Sequence, residues 1–180
     1  MVNALFEIMF GWVIRKVWIF SKRIFKRNRP ISVFETIRSA RSVLLILPYD
    51  NNSFPSALPA VKLLKKRKKN KKMISLVGRD KFYLLKRTRI EKIFYEGKLT
   101  PLTSQYTALK DALKKENCDI LVDFNRKRDD RSTIISTLSK AKLRIATFEN
   151  TPFFNCQAKQ EITQDEQQQN LALIKILTTK

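Results

Sequence analysis

Five short apolar runs recur between Arg41 and Phe148, and patterns of helical spacing, roughly 8–15 residues long, separate them. The runs are Ser42–Leu47, Lys72–Val77, Ile90–Tyr95, Asp119–Phe124 and Leu143–Phe148, each rich in aliphatic, β-branched or aromatic residues. Strand runs alternating with helical stretches predict a parallel sheet with crossover helices on its faces. Val43–Leu47 is the most uniformly apolar, so it belongs near the centre, covered on both sides. Tyr106, Leu109 and Leu113 are expected to face the sheet from one helix, and Ile134, Ile135 and Leu138 from another. A sheet of this kind offers a ligand crevice at the carboxyl ends of its strands.

Charge narrows the partners. The 180 residues carry 37 Lys or Arg against 16 Asp or Glu, a formal net charge of +21. A field of this size attracts polyanions: nucleic acid, anionic lipid or phosphorylated sugars. Its densest stretch is Lys62–Lys72, where Lys65, Lys66, Arg67, Lys68, Lys69, Lys71 and Lys72 follow Lys62. A solvated basic face is the default reading there, anionic membrane contact comes next, and nucleic acid is the weakest. No aromatic residues interleave these cations to make a stacking platform for single strands.

Several chemistries drop out. The chain has no histidine, which removes serine–histidine and cysteine–histidine catalysis and argues against a zinc enzyme. Cys118 and Cys156 stand far apart and suggest neither a metal site nor a disulfide framework, consistent with a reducing cytoplasmic setting. No nucleotide-binding glycine pattern follows the first strand, and the whole chain holds three glycines. No cofactor is called for. Asp123, Asp129 and Asp130 stand close in sequence, but Arg126, Lys127, Arg128 and Arg131 surround them. Salt-bridged helix caps are therefore expected in place of a metal cluster.

The amino-terminal segment, residues 1–29, has its own pattern. On a helix Phe6, Phe10, Val13, Val17, Phe20 and Ile24 share one face. Arg15, Lys16, Lys22, Arg23, Lys26 and Arg27 share the other, with Trp12 and Ile19. The longest charge-free run, Ile8–Ile14, falls far short of the roughly 20 residues a spanning helix needs. An in-plane helix on the inner face of the cell membrane fits, with Trp12 and Trp18 as interfacial anchors. A helix docked on the protein's own core or on an oligomer partner is the other reading. A connector, residues 30–41, leads into a domain over 42–180. Leu171, Ile174 and Leu177 give its last helix an apolar face to pack back with.

The loop after the first strand is the natural place for chemistry. It runs Pro48, Tyr49, Asp50, Asn51, Asn52, Ser53, Phe54, Pro55, with Ser56 as the expected cap of the following helix. Turn and cap chemistry is the plain reading of Asp50–Ser53.

Residues Val43–Leu47, the Ala57–Lys65 helix with Pro59, Ile74–Gly78, Cys118–Phe124, Lys142–Ala146 and Gln169–Leu177 together resemble, in order, the amino-terminal half of the ADP-heptose:lipopolysaccharide heptosyltransferases. The resemblance spans about Val43–Leu177 and rests on several weak motifs. It implies an α/β, Rossmann-like domain with about five parallel strands, the acceptor-side half of a GT-B glycosyltransferase. The loop residues Tyr49, Asn51 and Asn52 would then lie beside the acceptor. The family's proposed general base, an aspartate, aligns with Ser53, and the glycine before it with Asn52. A serine without histidine or lysine beside it cannot do a carboxylate's work. Asp50, three residues earlier, is the remaining candidate. The chain ends where the family's donor-binding half begins.

The expectation is thus a membrane-associated, glycosyltransferase-like protein of cell-envelope glycan assembly, inactive alone or dependent on a separate donor-binding half. A basic α/β nucleic-acid-binding protein and a minimal transferase using Asp50 are the alternatives.

Overall fold

A computed structural model describes residues 2–25, 31–67, 72–78, 90–95, 99–101, 103–127, 129–147, 153–158 and 165–178. Helix α1 (Val2–Phe25) and the short α2 (Val33–Ser39) precede strand β1 (Ser42–Ile46) and helix α3 (Ser53–Arg67). Then come β2 (Lys72–Gly78), β3 (Glu91–Tyr95), α4 (Ser104–Glu116), β4 (Ile120–Asp123), α5 (Asp130–Leu138), β5 (Leu143–Ala146), β6 (Cys156–Gln157) and α6 (Glu166–Thr178). The crossover from β2 to β3 lies outside the described residues.

All five pairings are parallel, in the order β3-β2-β1-β4-β5-β6. The five expected strands are present, and the two-residue β6 adds a sixth at the edge. Strand β1 sits centrally, between β2 and β4. Its alternating side chains feed two separate cores. Val43, Leu45 and Leu47 pack with α2, α3 and α6, while Leu44 and Ile46 pack with α4 and α5. With both faces covered, no position on β1 can be polar without a buried partner, hence its uniform composition.

The helices bury the faces their spacing predicts. Leu109 and Leu113 of α4 and Ile134 and Ile135 of α5 are buried, with Tyr106 and Leu138 partly so. On the other face Ile174 and Leu177 of α6 are buried, and Leu171 packs against them. Leu44 has no exposed surface, so Leu44→Ala should cost about 3–5 kcal/mol in a denaturant titration. Phe34→Ala, at a side chain 74% exposed, should change stability by less than about 0.5 kcal/mol.

The amino-terminal edge of the sheet is tied at β1 and β4. Asp119 Oδ2 accepts from the Arg41 and Ser42 backbone N–H groups at 2.8 and 3.1 Å and from the Ser42 hydroxyl at 3.1 Å. Burial works against the Asp119 charge, but these bonds outweigh it and lower the carboxyl's pKa.

Helix α1 docks on the protein, and it does so through the side that carries Ile19 among the cations, not through its apolar stripe. Ile19 is buried in the α4–α5 core, and Trp18 meets the Tyr106 ring edge-on at 6.0 Å. Lys16 Nζ pairs with Asp130 at 3.0 Å. Met9, Phe10, Val13, Val17 and Phe20 stay outward, each between 45% and 66% exposed. No helix among the described residues is long and apolar enough to cross a membrane.

Candidate functional site

The strand order reverses direction between β1 and β4, which in an open α/β sheet is where a crevice forms beyond the carboxyl ends of the strands. A cavity of about 720 Å³ occupies that place. The loop after β1 gives it Tyr49, Asp50, Asn52 and Ser53, and the loop after β4 gives it Asn125–Lys127 and Asp129–Arg131. Arg15 and Lys16 of α1 close a third side. Five cations therefore meet three carboxylates around one cavity, which suits a ligand bearing negative charge.

Asp50 is a helix cap. Helix α3 begins at Ser53, four residues before the start that Ser56 as cap would give, because Asp50 Oδ1 accepts from the Ser53 N–H at 2.6 Å. Ser56 lies inside the first turn, its hydroxyl donating to the Ser53 carbonyl at 2.7 Å. Pro59 is accordingly inside the helix, where it cannot donate to the Pro55 carbonyl. Burial tends to raise the Asp50 pKa, but hydrogen bonds from Ser53 and Asn52 prevail and lower it. A carboxylate held in its ionised form, with one oxygen engaged, is a weak proton acceptor. It also puts negative charge at the α3 amino terminus, where a bound phosphate would otherwise sit.

The second loop is built on α5. Asp129 caps that helix by accepting from the Arg131 N–H at 2.9 Å and also takes the Arg131 Nε at 2.6 Å. The Arg131 guanidinium lies 3.9 Å above the centre of the Tyr49 ring, a cation–π contact that joins the two loops. Arg126 reaches Gln169 at 2.6 Å and Glu166 at 3.5 Å on α6. On the α1 side Arg15 Nε is buried without a hydrogen-bond partner, 4.0 Å from Asp130. Of the three aspartates expected as salt-bridged caps, Asp129 pairs with Arg131 as expected, Asp130 pairs instead with Arg15 and Lys16 of α1, and Asp123 is buried and pairs with no cation among the described residues. Among the described residues no group of acids, cysteines or histidines is arranged to hold a metal ion.

Asp123 ends β4 beneath this crevice and is wholly buried. Its Oδ1 accepts from the Asn125 backbone and side-chain nitrogens at 2.9 and 2.7 Å, whereas Oδ2 has no partner. Burial pushes the carboxyl up to about 6, against the pull of the Asn125 bonds. That acidity suits proton transfer near neutral pH, but the side chain has no exposed surface from which to reach a substrate.

The other sequence candidates scatter. Phe10 and Phe20 are on the open face of α1, Trp12 is exposed although it shares a side with the docked Ile19, Trp18 is half-buried, and the exposed Lys22 lies 5.8 Å over the Trp18 ring. Phe6 and Arg23 fall within α1, while Lys26 and Arg27 lie outside the described residues. Of the basic stretch, Lys65, Lys66 and Arg67 form the last turn of α3, and Arg67 donates to Thr178 at 3.4 Å. Lys72 is paired with Glu91 at 3.2 Å and with Glu116. Lys68, Lys69 and Lys71 lie outside the described residues. The thiol of Cys118 is buried, which pushes its pKa up to about 12 and leaves it inert. Sequence reasoning placed the β1 loop at the site but not Arg15 and Lys16, which reach it through contacts far apart in the chain, nor Asn125, which Asp123 and Ser132 hold from nearby positions.

Neither a family model nor a curated protein matches the sequence. Two solved structures resemble the fold. One is a glycosyl transferase family 9 protein from Veillonella parvula, with a TM-score of 0.58, 11% identity, and 76% of this chain covering 41% of that one. The other is the E. coli heptosyltransferase WaaC with ADP-2-deoxy-2-fluoro heptose, with a TM-score of 0.59, 14% identity, and 74% of this chain covering 47% of that one. The chain therefore spans less than half the length of the glycosyltransferases it matches, and it shares with them a Rossmann-like α/β fold.

Proposed function

We propose that these 180 residues form the acceptor-holding half of a glycosyl transfer system in cell-envelope glycan assembly. In this reading the protein works at the cytoplasmic face of an anionic membrane, and turnover depends on a donor-binding half that these residues do not include. The observation that carries the reading is the cation-lined crevice at the β1–β4 switch point of a domain that resembles part of two glycosyltransferases. Such a crevice can hold a negatively charged saccharide through Lys127, Arg126 and Arg15. Glycosyl transfer also needs a base to take the proton of the acceptor hydroxyl as the sugar leaves its nucleotide. Asp50 is occupied as a cap and Asp123 is sealed beneath the crevice, so neither is set for that step. The outward apolar stripe of α1 supports the membrane setting.

The test is incubation of the purified chain with ADP-heptose and a phosphorylated lipid-linked saccharide. Nucleotide release should stay at background, while the saccharide binds and loses roughly tenfold in affinity on Lys127→Ala, as expected for one lost charge-assisted contact. Robust turnover that disappears in Asp50→Ala would replace this reading with a minimal transferase. No saccharide binding would remove the acceptor role.

A further inference from the structure

A second concavity, of about 510 Å³, lies on the flank of α1 away from the crevice. Lys22, Lys110, Lys114 and Lys140 surround it, and the Trp18–Tyr106 pair forms an aromatic wall. Pro101 and Leu138 add apolar surface, and no carboxylate lines it among the described residues. Helix-end electrostatics accounts for Lys114 in the last turn of α4 and Lys140 just past α5. It does not account for Lys22 and Lys110 converging on the same groove.

Lys140 carries a further sign. Its φ of 54° is the left-handed conformation that glycine or asparagine adopts at less cost after a helix. The chain keeps a lysine there, and its ammonium is on the rim of the groove. Four like charges held around one concavity repel each other unless an anion sits among them.

We infer that this groove binds the headgroup phosphate of an anionic lipid, an assignment that rests on the membrane reading above. The level is right. A helix about 10–12 Å across, with its outer face sunk roughly 5–10 Å below the headgroup boundary, leaves its inner flank among the lipid phosphates. The outer face of α1 is the Phe10–Phe20 stripe, and the inner flank is Trp18 and Lys22. The aromatic wall takes the glycerol and first methylenes, and the ammoniums take the phosphate.

The experiment compares two variants of the full chain with equal charge loss, binding to vesicles of phosphatidylcholine with phosphatidic acid. Lys110→Gln/Lys114→Gln/Lys140→Gln should weaken association by more than about tenfold, whereas Lys62→Gln/Lys115→Gln/Lys142→Gln should weaken it by less than about threefold. All six lysines are exposed, and a thermal midpoint within a few degrees of wild type confirms that each variant folds. In a Trp12→Phe background Trp18 is the sole tryptophan, and soluble short-chain phosphatidic acid should alter its emission. Inorganic phosphate should not; an equal response would assign the groove to a soluble phosphate and overturn the lipid assignment. Equal losses in both triple variants, with Trp18 silent, would overturn the groove and leave the membrane reading intact. Wild-type protein that ignores every vesicle would remove both. A Trp18 response to an oligonucleotide and not to lipid would overturn the proposal in favour of nucleic acid.

Discussion

Phe10→Asp/Val17→Asp/Phe20→Asp should abolish co-sedimentation with anionic vesicles, a loss of three orders of magnitude or more, while the protein stays folded. The three side chains are 58%, 62% and 64% exposed, so the folded state gains little from them. In a membrane interface each contributes about 1.5–3 kcal/mol of apolar burial, and three together exceed roughly 4 kcal/mol. Three new carboxylates also repel an anionic surface. Wild-type binding should weaken only in part as salt rises, because apolar burial is not screened. Nucleic-acid binding would behave in the opposite way, surviving the triple substitution and collapsing steeply with salt. Undiminished vesicle binding by the variant would show that the basic surface alone accounts for the association.

The second large effect is on stability against pH. The folded Asp123 carboxyl titrates at about 6, above its ordinary 3.8, so folding favours its protonated form. Its stabilising contribution is complete below about 3.8 and is lost as pH rises through about 6. The displacement corresponds to roughly 2–3 kcal/mol. Asp50 and Asp119, with lowered pKa values, act in the other sense, losing their contribution only as the medium becomes strongly acidic. Asp123→Asn keeps an oxygen for the Asn125 nitrogens and removes the titration. Urea unfolding at pH 5 and pH 8 should show wild type weakening between the two relative to the variant. Parallel curves for both proteins would mean that Asp123 stays ionised across the range.

How legible this molecule is from its residues differs from one element to the next. Strand β1 is readable because burial on both faces leaves only one composition available to it. The start of α3 is misread by four residues, Ala57 for Ser53, because Ser56 and Asp50 are both competent caps, and only the folded loop shows which carbonyls and N–H groups are free. Helix α1 is amphipathic in sequence, and its periodicity predicts the stripe. Periodicity does not say which face finds the protein. Ile19, set among cations, looks like a stray on the polar side, and Trp18 like an interfacial anchor, until Tyr106 and Asp130 are brought up to meet that side from more than eighty residues away. The crevice divides in the same manner. Its β1 loop follows from the rule that ligands sit beyond strand ends, while Arg15 and Lys16 join it only through the docking of α1.

That docking fixes a height. Helix α1 lies on the α4–α5 side of the sheet, outside those helices, and the crevice opens at the strands' carboxyl edge. Were the stripe of α1 to lie in a bilayer, as proposed above, the crevice would face sideways and rise from α1 by the thickness of a helix layer, about 10 Å. A saccharide anchored in lipid would then meet Arg15 and Lys16 near the surface, and would reach Arg126, tied to α6 on the far face of the sheet, only once its chain had grown long enough to climb that distance. A helix that held the protein down in this way would serve as a ruler, sorting glycans by how far past its own two cations they extend.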